Sequence, residues 1–184
     1  MNKKLAIKIL IILSIISIFV LFFILKKSNN TKIDPVLKNI NIDEIKIGSS
    51  KEEIDKLIGT EIESTKSGEL TLNTYKSENI YRPHQIYYQD NLSELIIEEI
   101  TDKSVTTDDM RKKYGVASNV LYEKLEHSTF NLFVYIDKGI AYQGHESGGL
   151  VLEIWYFKPT DIKTFINKYA QNYQETPYTE QTGY

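Results

Sequence analysis

Leu5 to Leu25 is a continuous apolar run whose single charge is Lys8. Its unbroken part, Ile9 to Leu25, is 17 residues, and the full run of 21 would make about 31 Å of helix. That is close to the roughly 30 Å of a hydrocarbon core. The run predicts a transmembrane helix, and it divides the chain into an apolar stem at 1–27 and everything after it. A cleaved leader fits less well. Its apolar stretch is usually about 7–15 residues and ends in small side chains, whereas this run ends Phe22-Phe23-Ile24-Leu25-Lys26-Lys27. No face of it is polar, as a buried amphipathic helix would require. No cysteine is present to carry a lipid. The expectation is a single-pass membrane protein held by a signal anchor at Leu5–Leu25, with its domain extracytoplasmic. Lysines flank both ends, so the positive-inside bias is weak.

The stem holds five lysines and no acid, which leaves 17 basic and 25 acidic side chains in residues 28–184, a net −8. Attraction to phosphate needs the opposite sign, so nucleic acid is not an expected partner. Residues 28–44, with Ser28-Asn29-Asn30-Thr31 and Asp34-Pro35, read as a linker. About 130 residues then remain for one ordinary core.

The clearest local signal is Ile45-Lys46-Ile47-Gly48-Ser49-Ser50-Lys51-Glu52-Glu53-Ile54-Asp55-Lys56-Leu57-Ile58-Gly59. Ser50 with Glu53 three residues on makes a capping box. Ile54, Leu57 and Ile58 share a face, and Gly59 suits the end of the helix. Strands follow at Leu70–Tyr75, Gln85–Tyr88 and Leu95–Ile100, with Asp90-Asn91 as a turn. The plan then repeats. Thr106, Asp109 and Gly115 stand at the intervals of Ser50, Glu53 and Gly59. Strands are predicted again at Val120–Glu123, Phe130–Ile136, Gly139–Tyr142 and Leu150–Phe157. Tyr88-Gln89 matches Tyr142-Gln143, and Leu95–Glu98 matches Leu150–Glu153, at an offset drifting between 54 and 56. Thr160-Asp161 caps a last helix with Ile162, Phe165, Ile166 and Tyr169 on one face.

The fold expected is therefore α+β: an N-terminal transmembrane helix, two helix-plus-antiparallel-sheet units at about 45–100 and 101–159, and a C-terminal helix at 160–170. Residues 171–184 read as a flexible tail.

The run from Gly48 to Gly59 resembles the start of the BamE/SmpA/OmlA-like small envelope proteins: a glycine, a capping Ser or Thr, a short acidic amphipathic helix and a closing glycine. Two such units in tandem resemble the β-lactamase-inhibitor-protein architecture, in outline from Ile45 to Phe157. The resemblance implies an extracytoplasmic scaffold or binding domain without catalysis. Those envelope proteins are typically lipoproteins, and this chain lacks the cysteine; its second unit has Ser104 where the first has Gly48.

Catalytic motifs are sparse. Gly144-His145-Glu146-Ser147-Gly148-Gly149 invites a hydrolase using Ser147 and His145, but it is not Gly-x-Ser-x-Gly, and a glycine-rich hairpin loop explains it. His84, His127 and His145 lie in separate segments without ligand spacing. Glu98 and Glu99 point to opposite faces of a strand, and Asp108 and Asp109 suit a first helical turn. No catalytic, cofactor or metal residue is assigned.

The strands at 130–136 and 150–157 are apolar on both faces, whereas a sheet with one wet face alternates apolar and polar. Something must cover the second face: the C-terminal helix, or a protein partner docking around Phe133, Tyr135 and Trp155. The functional expectation is a membrane-anchored, non-enzymatic binding or scaffold domain of the cell envelope, inhibitor-like in outline. A small membrane-tethered hydrolase and a structural spacer are the alternatives.

Overall fold

Two capping boxes set where the first helices begin. In α1 (Lys51–Ile58) the Ser50 hydroxyl accepts from the Glu53 amide at 3.3 Å, and the Glu53 carboxylate accepts from the Ser50 amide at 2.9 Å. In α2 (Thr107–Tyr114) Thr106 and Asp109 make the same exchange at 3.3 and 3.1 Å. Both helices close on a glycine of positive φ, 89° at Gly59 and 87° at Gly115, a conformation that a side chain resists. In α3 (Ile162–Tyr169) Asp161 caps the Thr164 amide at 2.9 Å. The computed structural model describes residues 45–177 apart from Lys103, Glu126, His127, Glu146 and Ser147.

Nine strands among these residues form one antiparallel sheet: β1 (Glu63–Ser67), β2 (Leu70–Tyr75), β3 (His84–Gln89), β4 (Leu92–Glu99), β5 (Asn119–Glu123), β6 (Phe130–Tyr135), β7 (Ile140–His145), β8 (Val151–Phe157) and β9 (Tyr173–Gln174). Their spatial order is β1-β2-β3-β4-β8-β7-β6-β5-β9. Asp90 and Asn91, at φ 50° and 67°, make the two-residue turn between β3 and β4 that suits the strand twist.

This corrects the expected architecture. Among the described residues the protein is one large sheet with three short helices, not two separate helix-plus-sheet units. The units merge because β4 and β8 pair with each other through Leu95↔Phe157 to Glu99↔Glu153, leaving neither with an edge. The anchor assigned to Leu5–Leu25, and the linker at 28–44, lie outside the described residues. Among the described residues no helix is long and apolar enough to cross a membrane. Each helix has 8 residues, about 12 Å, far short of a hydrocarbon core. The signal-anchor and single-pass assignments are accordingly not carried forward. Of the residues read as tail, Tyr173 is buried in β9 against β5, and 178–184 lie outside the described residues.

Hydrogen-bond register replaces the drifting sequence offsets. Gln85↔Ile97, Ile86↔Ile96 and Tyr87↔Leu95 have counterparts in Ala141↔Trp155, Tyr142↔Ile154 and Gln143↔Glu153. A register shift follows Tyr87 in one ladder and Gln143 in the other. Tyr88 thus corresponds to Gly144, and Leu95 to Glu153, rather than to Tyr142 and Leu150. Helix-to-strand ties recur as well: Ser93 N donates to Ser49 O at 2.9 Å, and Val151 N to Val105 O at 3.1 Å. Ile97 and Trp155 are each other's counterparts and also face each other across β4–β8, so a local two-fold runs between them.

Both faces of the sheet are covered in part. On one, α1 inserts Ile54 among Tyr75, Ile86, Tyr88 and Ile96, and α2 inserts Met110 among Phe133, Tyr135, Tyr142 and Val151. On the other, Phe165 of α3 packs with Leu95, Leu132, Trp155 and Phe157; burying such side chains contributes roughly 1.5–3 kcal/mol each. Gly139 closes the β6–β7 connection at φ 65°, and a Cβ there would run into the Phe157 carbonyl oxygen. Gly139→Ala should therefore lower stability by at least about 2 kcal/mol. Urea unfolding of the full chain measures this, and an unchanged midpoint would contradict the packing.

Candidate functional site

The three residues expected to form a docking surface do not form one. Phe133 and Tyr135 are 5% and 3% exposed beneath α2, with Phe133 stacked on Tyr142 at 4.8 Å. Trp155 is 6% exposed on the opposite face, edge-on to Tyr173 at 6.1 Å. The second face of these strands is closed by the chain's own helices. His145 ends β7 with its ring 6.1 Å from that of Phe130, while Ser147 lies outside the described residues.

What sequence reasoning missed is the β2–β3 connection. The hairpin pairs Tyr75↔His84 and Tyr135↔Ile140 correspond, so residues 76–83 occupy the place of 136–139 and are four residues longer. Insertions into surface loops are where functional side chains concentrate. The extra length is tightly tied. The buried Ser77 hydroxyl lies 2.7 Å from the carbonyl oxygens of both Asn79 and Arg82 and accepts from the Asn79 amide at 3.0 Å. The Asn79 side-chain oxygen accepts from the Tyr81 amide at 3.1 Å, and the Arg82 amide donates to Asn79 O at 3.0 Å. Pro83 then removes a backbone donor and fixes φ before β3. At the tip, Ile80 and Tyr81 stand 79% and 86% exposed.

Arg82 anchors this loop to the centre of the sheet. Antiparallel pairing of β4 and β8 sets Glu99 opposite Glu153, a like-charge pair that destabilises a sheet when left alone. Arg82 answers both, with Nε 3.0 Å from Glu99 Oε2 and Nη2 2.8 Å from Glu153 Oε1. The indole Nε1 of Trp155 donates to Glu153 Oε2 at 2.9 Å. Burial pushes the Glu99 carboxyl above the usual glutamate range; Arg82 pulls it back, and Glu153 pushes it further up. His84 Nδ1 accepts from the Glu99 amide at 3.0 Å, and burial lowers its imidazole to about 4.

Two concavities flank the clamp. A groove of about 660 Å³ contains Tyr87, Glu123, Gln143, Glu153, Trp155 and Tyr173. Its polar groups are engaged with one another: Gln143 Nε2 donates to Glu123 Oε1 at 2.9 Å and lies 3.0 Å from the Tyr173 hydroxyl, which burial and the neighbouring Glu123 push up in pKa. A smaller cleft of about 410 Å³ lies on the loop side, lined by Glu78, Arg82, Glu99 and Asp102 together with Ile100, Leu150 and Leu152. Among the described residues no group of three or more His, Cys, Asp or Glu is arranged to hold a metal ion.

No family model matches the chain, and neither a curated protein nor a solved structure matches it.

Removing Arg82 would leave two facing carboxylates. Arg82→Met should cost about 2 kcal/mol, below the roughly 3–5 of a fully buried pair because a third of the arginine is exposed. Glu99→Gln in that background should restore part of the loss. If Arg82→Met unfolds at the wild-type urea concentration, the clamp is not structural. His84 has a depressed folded-state pKa, so its contribution is complete above the ordinary 6.5 and is lost as pH falls toward about 4. An NMR titration should place its midpoint near 4; one near 6.5 would mean that the imidazole is not buried as described.

Proposed function

We propose that this domain is a non-enzymatic, protein-binding module whose contact surface is the Ile80–Tyr81 loop. The observation that carries this reading is two large apolar side chains held in solvent by a loop that is itself rigidly tied. Exposed isoleucine and tyrosine gain little in the free protein. They supply anchoring area on association, and a loop already in one conformation avoids much of the ordering cost of binding. Tyrosine is among the residues that most often dominate such interfaces. The outline resemblance to inhibitor-like tandem domains is compatible with a protruding, preorganised loop as the binding element.

The carboxylates and amides beside the loop support binding more than catalysis. Glu99, Glu123 and Glu153 already accept bonds from Arg82, Gln143 and Trp155, so they act as supports for the surface.

A photo-crosslinking side chain placed at Tyr81 in the full chain should give a discrete protein adduct in cells of the source organism. The same group at Val116, 86% exposed elsewhere, should not. Ile80→Ser should remove the adduct while changing stability by no more than about 0.5 kcal/mol, as exposed substitutions do. Equal labelling from positions 81 and 116, or an adduct indifferent to Ile80→Ser, would count against the reading.

A further inference from the structure

The loop and the smaller cleft form a single surface, because Glu78, Asn79 and Arg82 belong to both. The cleft has an apolar side in Ile100, Leu150 and Leu152, and Leu150 remains 42% exposed. Its rim carries Glu78 and Asp102, both exposed. Glu78 accepts from the Thr101 hydroxyl at 3.0 Å, and the Asp102 carboxylate accepts from the Ser104 amide at 2.8 Å, which lowers its pKa and holds it ionised. Neither forms an ion pair among the described residues. The cation nearest at hand, Arg82, is committed to Glu99 and Glu153. Lys76 flanks the loop in sequence, and Lys103 lies outside the described residues. Residues 28–184 as a whole are net −8, a field that favours approach of a basic surface.

We propose that the cleft receives an apolar side chain from a basic segment of a partner protein, with Glu78 and Asp102 pairing the lysines or arginines that flank that side chain. This rests on the binding reading above and adds the partner's chemistry to it. Ile80 and Tyr81 reach outward to the partner while the cleft accepts a side chain from it, so the contact interlocks. The volume suits one or two aliphatic side chains. A strongly acidic segment would meet like charge at the rim, and a wholly polar one would leave the exposed Leu150 uncovered.

The test uses the full chain and three fluorescein-labelled peptides: one of alternating lysine and leucine, one with glutamate in place of lysine, and one with serine in place of leucine. Anisotropy should rise with the first peptide only. Leu150→Asp should weaken that binding at least tenfold. Glu78→Gln and Asp102→Asn should each weaken it severalfold and flatten its dependence on salt, with thermal melting unchanged. No binding of the lysine–leucine peptide, or binding that Leu150→Asp leaves intact, overturns the proposal. If the Tyr81 adduct persists while the peptide fails, the binding reading stands and the cleft assignment alone is wrong. If both vanish, the two fall together.

Discussion

The pairing of β4 with β8 is the contact on which the rest of the structure depends. Leu95 and Ile97 of β4 and Trp155 and Phe157 of β8 point to one face, while Ile96, Ile154 and Tyr156 point to the other. A strand apolar on both sides is stable in a sheet only where it is central and covered twice. Each of these two strands supplies that condition for the other. Their union turns two short meanders into one sheet, and it gives α3 a continuous apolar floor on which Phe165 sits 4.5 Å from Phe157. Without it, each half would present an unpaired central strand, the kind of edge that invites association.

The same pairing creates the difficulty that the Arg82 loop resolves. A local two-fold between Ile97 and Trp155 forces equivalent rungs to mirror each other, so Leu95↔Phe157 on one side implies Glu153↔Glu99 on the other. The aliphatic–aromatic rung is favourable, whereas the glutamate rung repels. In the first half the β2–β3 connection is long enough to bring a guanidinium back over that rung; the four-residue β6–β7 connection, Ile136 to Gly139, carries no arginine. Charge neutralisation at the centre of the sheet and rigid display of Ile80 and Tyr81 at its rim are thus two ends of one loop. A change in the clamp would be felt at the tip.

The sequence made the capped helices legible because their signals are local: Ser50 with Glu53, Thr106 with Asp109, and the glycines that follow. Strand positions were legible where residues alternate or run apolar. β1 was not, since Glu63–Ser67 carries no apolar residue and is exposed throughout; it exists because β2 offers it a hydrogen-bonding edge. The offsets were misread because similarity of residues is a poor guide to register, and a bulge after Tyr87 and after Gln143 shifts what faces what. Phe133, Tyr135 and Trp155 were correctly seen to lie on strands with two apolar faces, but periodicity does not say what covers a face, and here it is α2 for two of them and α3 with Tyr173 for the third. The loop went unnoticed for the opposite reason. Its importance lies in a length difference between corresponding hairpins and in an arginine paired to glutamates 17 and 71 positions away, neither of which any local pattern encodes.

The two halves differ most on the face beneath α3. Leu121, Leu132, Val134 and Ala141 of the second half are buried there, and register places Thr65, Leu72, Thr74 and Gln85 at the matching positions of the first. Three of those four are polar, and none is buried. One helix covers one half, and the composition of each half follows from which is covered: apolar where Phe165 descends, hydrogen-bonding where water remains. A broad polar face has little to gain by being buried against a partner unless each of its groups finds a match. That asymmetry draws the proposed recognition away from the sheet and toward its rim, where Ile80, Tyr81 and Leu150 are apolar side chains that folding leaves exposed.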